Sequence, residues 1–306
     1  MQRFQGIIPG CINQTKGGEM KKHVHYGHPI QTRVSASLWT AILERCNRTG
    51  ETVDHIIQSA LATELDIKHH TLFQVSTSSA LVQGVYAGCM QVGEIKKHGN
   101  FGLGTFDLLD GEGIMLDGEV WQAKSDGSLA LVDDNQLAPF WVTTNFAPEI
   151  SQVLESVISW DNLCEQIDCF RKSQNVFIAI KITGVFAHLK YRVACQTAHG
   201  TDLVTATSRQ ALFERDNCSG TLVGFWTPSY AKTFNVPGYH LHLLSDDRHY
   251  GGHVLDIRGS NLKLQFTCET EMKIALPETA SFLAADLNID PTEALTIAEG
   301  SRIKPS

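Results

Sequence analysis

No stretch of this 306-residue chain approaches the roughly 18 consecutive apolar residues that a membrane helix needs. The N-terminal MQRFQGIIPGC also lacks an apolar core followed by a small-residue cleavage site. Neither a membrane span nor a cleaved export signal is expected, and the cytoplasm is the expected compartment. The eight cysteines form no C-x-x-C pair and no zinc-finger spacing, so a disulfide framework and a thiolate zinc site are both excluded in favour of buried thiols. Positive charge is also scarce: 25 Lys and Arg against 33 Asp and Glu give a net charge of -8, which argues against a surface built to bind polyanions. The glycines of GNFGLGTF are followed by no Gly-Lys-Ser/Thr, so they are strand and turn glycines and not a phosphate loop. Three N-x-[ST] sequons, at Asn13, Asn47 and Asn217, would matter only in a secreted chain and carry no argument here.

Apolar residues make up 42% of the chain and charged residues 19%, ordinary values for a globular protein with a sizeable core. Residues 1–29 mix Gly, Lys, Asn and the histidines His23, His25 and His28 without apolar periodicity, and read as a flexible tail. The texture changes over residues 30–67. A short alternating run, QTRVSAS, leads into Leu38, Ala41, Ile42 and Cys46 at helical spacing. Arg48-Thr49-Gly50-Glu51 breaks that helix, and Thr52 can cap a second one with Val53, Ile56, Ile57, Ala60, Leu61 and Leu65 inward. Two such helices cannot bury both apolar faces on each other, so they are expected to pack against a partner.

From His70 onward short runs such as LFQVSTSSALVQGVYAG, FGLGTFDLL, GEGIMLDGEVWQ and PFWVTTNF alternate with Gly, Asp and Asn, the pattern of a multistranded, largely antiparallel sheet. A helical interval is expected next, with Pro148 opening one helix and Ser159 capping another whose Leu163, Ile167 and Phe170 lie on one stripe. Strands return in NVFIAIKITGVFAHLKYRVA and continue through GTLVGFW, GYHLHLL, GGHVLDI and LKLQFTCE. The expected class is α+β: two β-rich subdomains of mixed or antiparallel sheet within 68–306, split near 150–175 by a helical segment, plus the N-terminal helix pair.

Within GYHLHLLSDDRHYGGHVLD, His240 and His242 are two apart, so on a strand both imidazoles point to one face. SDDR can turn the chain, and a following strand could bring His253 back beside the pair. Three neutral imidazoles would leave an open position for water or substrate, as catalytic zinc sites do. Spacing alone leaves a solvated polar strand pair equally open. His249 and the turn formers Asp246 and Asp247 are expected at the surface, and Ser245, Asp247 and His249 are too local to converge as a catalytic triad.

WTPSYAKTFNVPGYHLHLLSDDRHYGGHVLD resembles the hallmark segment of the acetolactate decarboxylases. The likeness extends back through NVFIAIKITGVFAHLKYR, GNFGLGTFDLLDGEGIMLDGEVWQ and LFQVSTSSALVQGVYAG, covering about residues 70–300. The resemblance implies a zinc ion on His240, His242 and His253 in the crevice between the subdomains, with Glu112, Thr105 and Arg192 in the active site. It also implies a C-terminal glutamate, matched to Glu299 with Glu293 as the fallback. The implied reaction converts 2-acetolactate to (R)-acetoin and carbon dioxide through a metal-stabilised enediolate, without an organic cofactor. Arg192 would bind the substrate carboxylate, and the glutamates would move the protons.

Residues 31–65 resemble, more weakly, the ribbon-helix-helix dimerisation and DNA-binding fold, in which Gln31 and Arg33 would read bases. The expected partners are therefore a 2-hydroxy-3-oxo acid and a second copy of the chain, with nucleic acid through residues 31–65 as the lesser reading. Two other functions remain open at this level. One is a DNA-binding regulator that uses the decarboxylase domain as a ligand sensor; the other is a different zinc lyase or hydrolase.

Overall fold

The computed structural model describes residues 24–25, 30–65, 70–171, 173–198 and 200–299. Of the segment expected as a flexible tail, only Val24–His25 falls within the described residues, and it is strand β1. Helix α1 spans Ala36–Thr49, with the Ser35 side chain accepting from the Leu38 N–H at 3.2 Å. Gly50, at φ +76°, ends α1 in the left-handed conformation that costs glycine least, and its N–H donates to Cys46 O at 2.9 Å. Thr52 then caps α2, Val53–Glu64, accepting from the His55 N–H at 3.1 Å. The pair buries Ile42 and Ile56 but leaves Leu38, Trp39, Leu43, Ile57, Leu61 and Leu65 each at least 41% exposed. Residues 30–35, expected to include a short strand, precede α1 without a strand ladder to any described residue.

The next strands are β2 (Thr71–Val75), β3 (Met90–Gln91), β4 (Phe101–Thr105), β5 (Glu112–Leu116), β6 (Glu119–Ala123), β7 (Leu129–Leu131), β8 (Leu137–Ala138) and β9 (Phe140–Thr144). Short helices α3 (Ser78–Val82) and α4 (Val92–Ile95) interrupt them. After β10 (Ile150–Val157) and α5 (Trp160–Asp168) come β11 (Phe177–Val193), α6 (Leu203–Thr207), β12 (Ala211–Thr227), β13 (Gly238–Ser245) and β14 (Gly251–Glu269). β15 (Glu271–Ala275), α7 (Ala280–Ala284) and α8 (Thr292–Ala298) complete the described chain.

Two sheets result. A seven-stranded sheet runs β15-β2-β9-β4-β5-β6-β7, with β15 parallel to β2 and the other neighbours antiparallel. A six-stranded antiparallel sheet runs β1-β10-β14-β11-β12-β13, and its last strand also pairs with the start of β14, so β11 to β14 close on themselves. The α+β class holds. From β10, which starts at Ile150, the strands belong to the second sheet, except that β15 returns to the first.

The helix expected to open at Pro148 is strand β10. Its buried Ile150, Leu154 and Val157 do follow helical spacing. The edge of β14 nevertheless takes the segment into seven registered pairs, and tertiary pairing outweighs local periodicity. Ser159 caps α5 by accepting from Asn162 N–H at 3.2 Å, and Leu163 and Ile167 are buried beneath it. One apolar cluster joins the sheets: Leu103, Ile114, Phe140 and Val142 of the first pack with Phe177, Val223, Phe225 and Leu244 of the second. Complete burial of such side chains contributes roughly 1.5–3 kcal/mol each, which holds the sheets face to face and fixes what lies between them.

Candidate metal and catalytic centre

Strand alternation puts His240 and His242 on one face of β13. The turn from Ser245 to Tyr250 is closed by Ser245, whose hydroxyl accepts from the His249 and Tyr250 N–H groups at 3.1 Å each. β14 then returns in a register that pairs His253 with His242 on one side and with Arg192 of β11 on the other. Arg192, His253 and His242 therefore form one row across three strands and share a face. Gly252 makes this close approach possible: it adopts φ +151°, and a Cβ there would lie 2.5 Å from the Arg192 carbonyl oxygen.

The three imidazole rings converge, with centroids 4.9 Å (His240 to His242), 4.8 Å (His240 to His253) and 5.5 Å (His242 to His253) apart. Their ligating nitrogens all lie within 4.8 Å of one another, and the Nε2 atoms of His240 and His242 are 3.0 Å apart. His242 donates its Nδ1–H to the Gly113 carbonyl across the inter-sheet gap at 2.9 Å, which turns the Nε2 lone pair toward its neighbours. Burial lowers the His242 pKa to about 4, so the ring is neutral at neutral pH, as a metal ligand must be.

The first sheet contributes the opposite wall. Phe140, Thr105 and Glu112 are register partners in one row. Glu112 accepts from the Ala194 N–H at 3.1 Å through Oε1, and its Oε2 lies 3.5 Å from His242 Nε2. Burial pushes the Glu112 carboxyl up to about 7, against the opposing pull of Arg192 and the Ala194 N–H. Thr105 is buried beside it with its hydroxyl donating to Gly111 O at 2.8 Å.

Glu299, at the C-terminal end of α8, closes the group. Its Oε2 is 3.2 Å from His253 Nε2, and its Oε1 is 3.3 Å from Arg192 Nη2. Arg192 also donates from Nη1 to the Ala298 carbonyl. Two of the guanidinium nitrogens expected to face substrate thus hold the end of α8. Glu293 lies exposed in the first turn of α8, away from this group.

His249 stands at the surface, 3.2 Å from Asp247, and the Ser245 hydroxyl is taken up by backbone N–H groups, so these three form no triad. What sequence reasoning missed is the apolar enclosure, supplied by Leu81 of α3, Leu109, Leu203 of α6, Val236 and Leu295 of α8. Leu81, Leu109 and Val236 lie within the quoted segments but bear no reactive group there, and Leu203 and Leu295 lie outside them, so only hydrophobicity could have flagged them. The Gly113 and Ala298 carbonyls carry no side-chain signal at all.

Three imidazoles flanked by two carboxylates, without a thiolate, make a donor set that fits a divalent metal ion of the zinc type. Among the described residues this is the one such cluster of metal-ligating side chains. No helix among the described residues is long and apolar enough to cross a membrane.

Comparison with known proteins bears on the same residues. The family model described as alpha-acetolactate decarboxylase matches residues 72–289. The alpha-acetolactate decarboxylase of Methylococcus capsulatus is 41% identical over 231 residues, spanning 75% of this chain and 89% of that protein. The Methanosarcina mazei protein of the same name is 37% identical over 254 residues, spanning 83% and 87%. The crystal structure of alpha-acetolactate decarboxylase from Bacillus subtilis strain 168 superposes with a TM-score of 0.72 at 35% identity, covering 75% of this chain and 98% of that one. Apart from β1 and the first residue of β2, the strands of both sheets and the converging histidines lie within the matched region, and on these grounds the chain belongs to the alpha-acetolactate decarboxylase family.

Proposed function

We propose that this chain removes carbon dioxide from 2-acetolactate (2-hydroxy-2-methyl-3-oxobutanoate) to give (R)-acetoin at a zinc ion held by His240, His242 and His253. The observation that carries the reading is the registered row Arg192–His253–His242 with Glu112 facing it from the other sheet. A metal ion on the three histidines would supply a Lewis acid that offsets the negative charge developing on the substrate as the carbon–carbon bond breaks.

The chain's own groups do the rest. Arg192 is anchored at Ala298 and Glu299, and the N–H groups left over from those contacts can meet the substrate carboxylate in a fixed orientation. Glu112 has a proton affinity suited to taking the hydroxyl proton and returning it near neutral pH. Glu112 beside His242 and Glu299 beside His253 flank the cluster, so proton removal and delivery fall to this pair. Delivery from a side chain fixed on one side of the substrate gives a single enantiomer. Leu81, Leu109, Phe140, Leu203 and Leu295 exclude water and accommodate the two methyl groups.

The same reading takes the protein as a homodimer. Support comes from the apolar residues that α1 and α2 leave exposed, more than a solitary surface helix pair normally presents. The central test is metal content and acetoin formation from racemic acetolactate. His240→Ala and His253→Ala are expected to lose zinc and turnover together while the circular dichroism spectrum is kept. Full turnover by zinc-free variants would remove the metal from the mechanism.

A further inference from the structure

Behind the wall that carries Glu112 and Thr105 lies a second row, Trp141–Gly104–Gly113, which alternation directs to the opposite face of the sheet. The indole lies against both glycines at once. A Cβ on Gly104 would stand 2.4 Å from Trp141 Cε3, and one on Gly113 would stand 2.3 Å from Cζ3. Trp141 is completely buried, with Phe106 edge-on at 5.8 Å and Val92, Ile95 and Met115 in the same cluster.

Two features separate this from ordinary core filling. The indole N–H is buried without a hydrogen-bond partner among the described residues, a penalty that an aliphatic or phenyl side chain would avoid. What the indole adds is reach across two strands onto backbone that has no side chain to hold it. Moreover, Gly113 is the residue whose carbonyl accepts the His242 Nδ1–H, and its neighbour Glu112 faces the same histidine.

We propose that Trp141 is a positioning residue for this reaction: by clamping Gly104 and Gly113 it sets the plane of β5, aims the Gly113 carbonyl at His242 Nδ1, and so fixes the His242 tautomer that directs Nε2 to the metal. The functional consequence rests on the zinc reading above, but the tautomer is a property of the metal-free chain. A methyl group at Gly113 would collide with the indole and displace the carbonyl. A smaller residue at 141 would free β5 to shift.

The test uses the full chain with 15N-labelled histidine. In the metal-free wild type, long-range nitrogen–proton spectra should show His242 protonated at Nδ1. Gly113→Ala and Trp141→Leu should each replace that signature with a mixture of tautomers and weaken zinc binding about 10-fold or more, the scale seen when a ligand's supporting hydrogen bond is lost. In both, kcat should fall more than KM rises. Trp141→Phe, which keeps a flat ring but reaches less far over the two glycines, should give a tautomer mixture between those of the wild type and Trp141→Leu, and guards against a variant that does not fold. In Gly113→Ala/Trp141→Leu the shorter side chain makes room for the methyl, and zinc affinity should exceed that of Gly113→Ala alone. If both single variants lower the melting temperature yet keep the wild-type tautomer and zinc affinity, Trp141 only fills the core and the proposal is overturned. Should the wild type bind no zinc, the metal reading falls, while the tautomer comparison still decides the positioning role.

Discussion

Glu269 ends β14 at the crossing from one sheet to the other, 2% exposed, with Oε2 buried and unpartnered among the described residues. Burial raises its carboxyl to about 8; a hydrogen bond with the Thr144 side chain only partly opposes this, and the nearby Glu149 carboxylate adds to it. In the unfolded chain the same group releases its proton near 4.3, as model glutamates do. Between these limits the folded state binds more protons than the unfolded state, so rising pH favours unfolding, by up to about 1.4 kcal/mol per pH unit. Across the window the loss sums to roughly 3–5 kcal/mol, and above pH 8 the slope disappears. Glu269→Gln removes the titration while keeping the shape. Urea unfolding of both proteins at equal metal loading from pH 5 to pH 9 should show the variant gaining on the wild type steadily up to about pH 8. At pH 5 it should be level or slightly weaker, because the buried amide also lacks partners. Parallel stability curves for the two proteins across this range would refute the reasoning, since Glu269 would then ionise in the folded state as it does in water.

Three other perturbations probe the centre and the helix pair. Glu112→Gln should retain zinc, because the imidazoles hold it, but lose about 10²- to 10⁴-fold in kcat with the loss of a proton acceptor; unchanged turnover would take Glu112 out of the proton path. Arg192→Lys keeps the charge but cannot hold both Ala298 and Glu299 while meeting a carboxylate, so kcat/KM should fall roughly 10- to 100-fold. Wild-type kinetics would show that the fork is not needed. Deleting residues 1–67 should leave acetoin formation intact and shift the sedimentation coefficient from dimer to monomer. A truncated chain that stays dimeric would place the interface elsewhere, and salt-dependent DNA retention confined to the full chain would revive the DNA-binding reading of residues 31–65.

The legible parts of the sequence were local. Thr52 and Ser159 announce helix starts because a cap acts within one turn. His240 and His242 announce a shared face because strand alternation has a fixed period. β10 departs from expectation for the same reason: Pro148 is a local signal for a helix start, and only the edge of β14, more than 100 residues later in the chain, makes the segment a strand.

What the sequence by itself determined is the stock of side chains: two histidines spaced to share a strand face and a third beyond a turn, glutamates, an arginine, and glycines in strands and turns. The tertiary structure alone decided how that stock is arranged. The registers of β11, β13 and β14 line up Arg192, His253 and His242, the packing of the two sheets brings Gly113 O to His242, and the return of α8 puts Glu299, not Glu293, against Arg192. The physical reason is that register and sheet-on-sheet contact are non-local. They are set by ladders and burial summed over many residues, and no single motif encodes them.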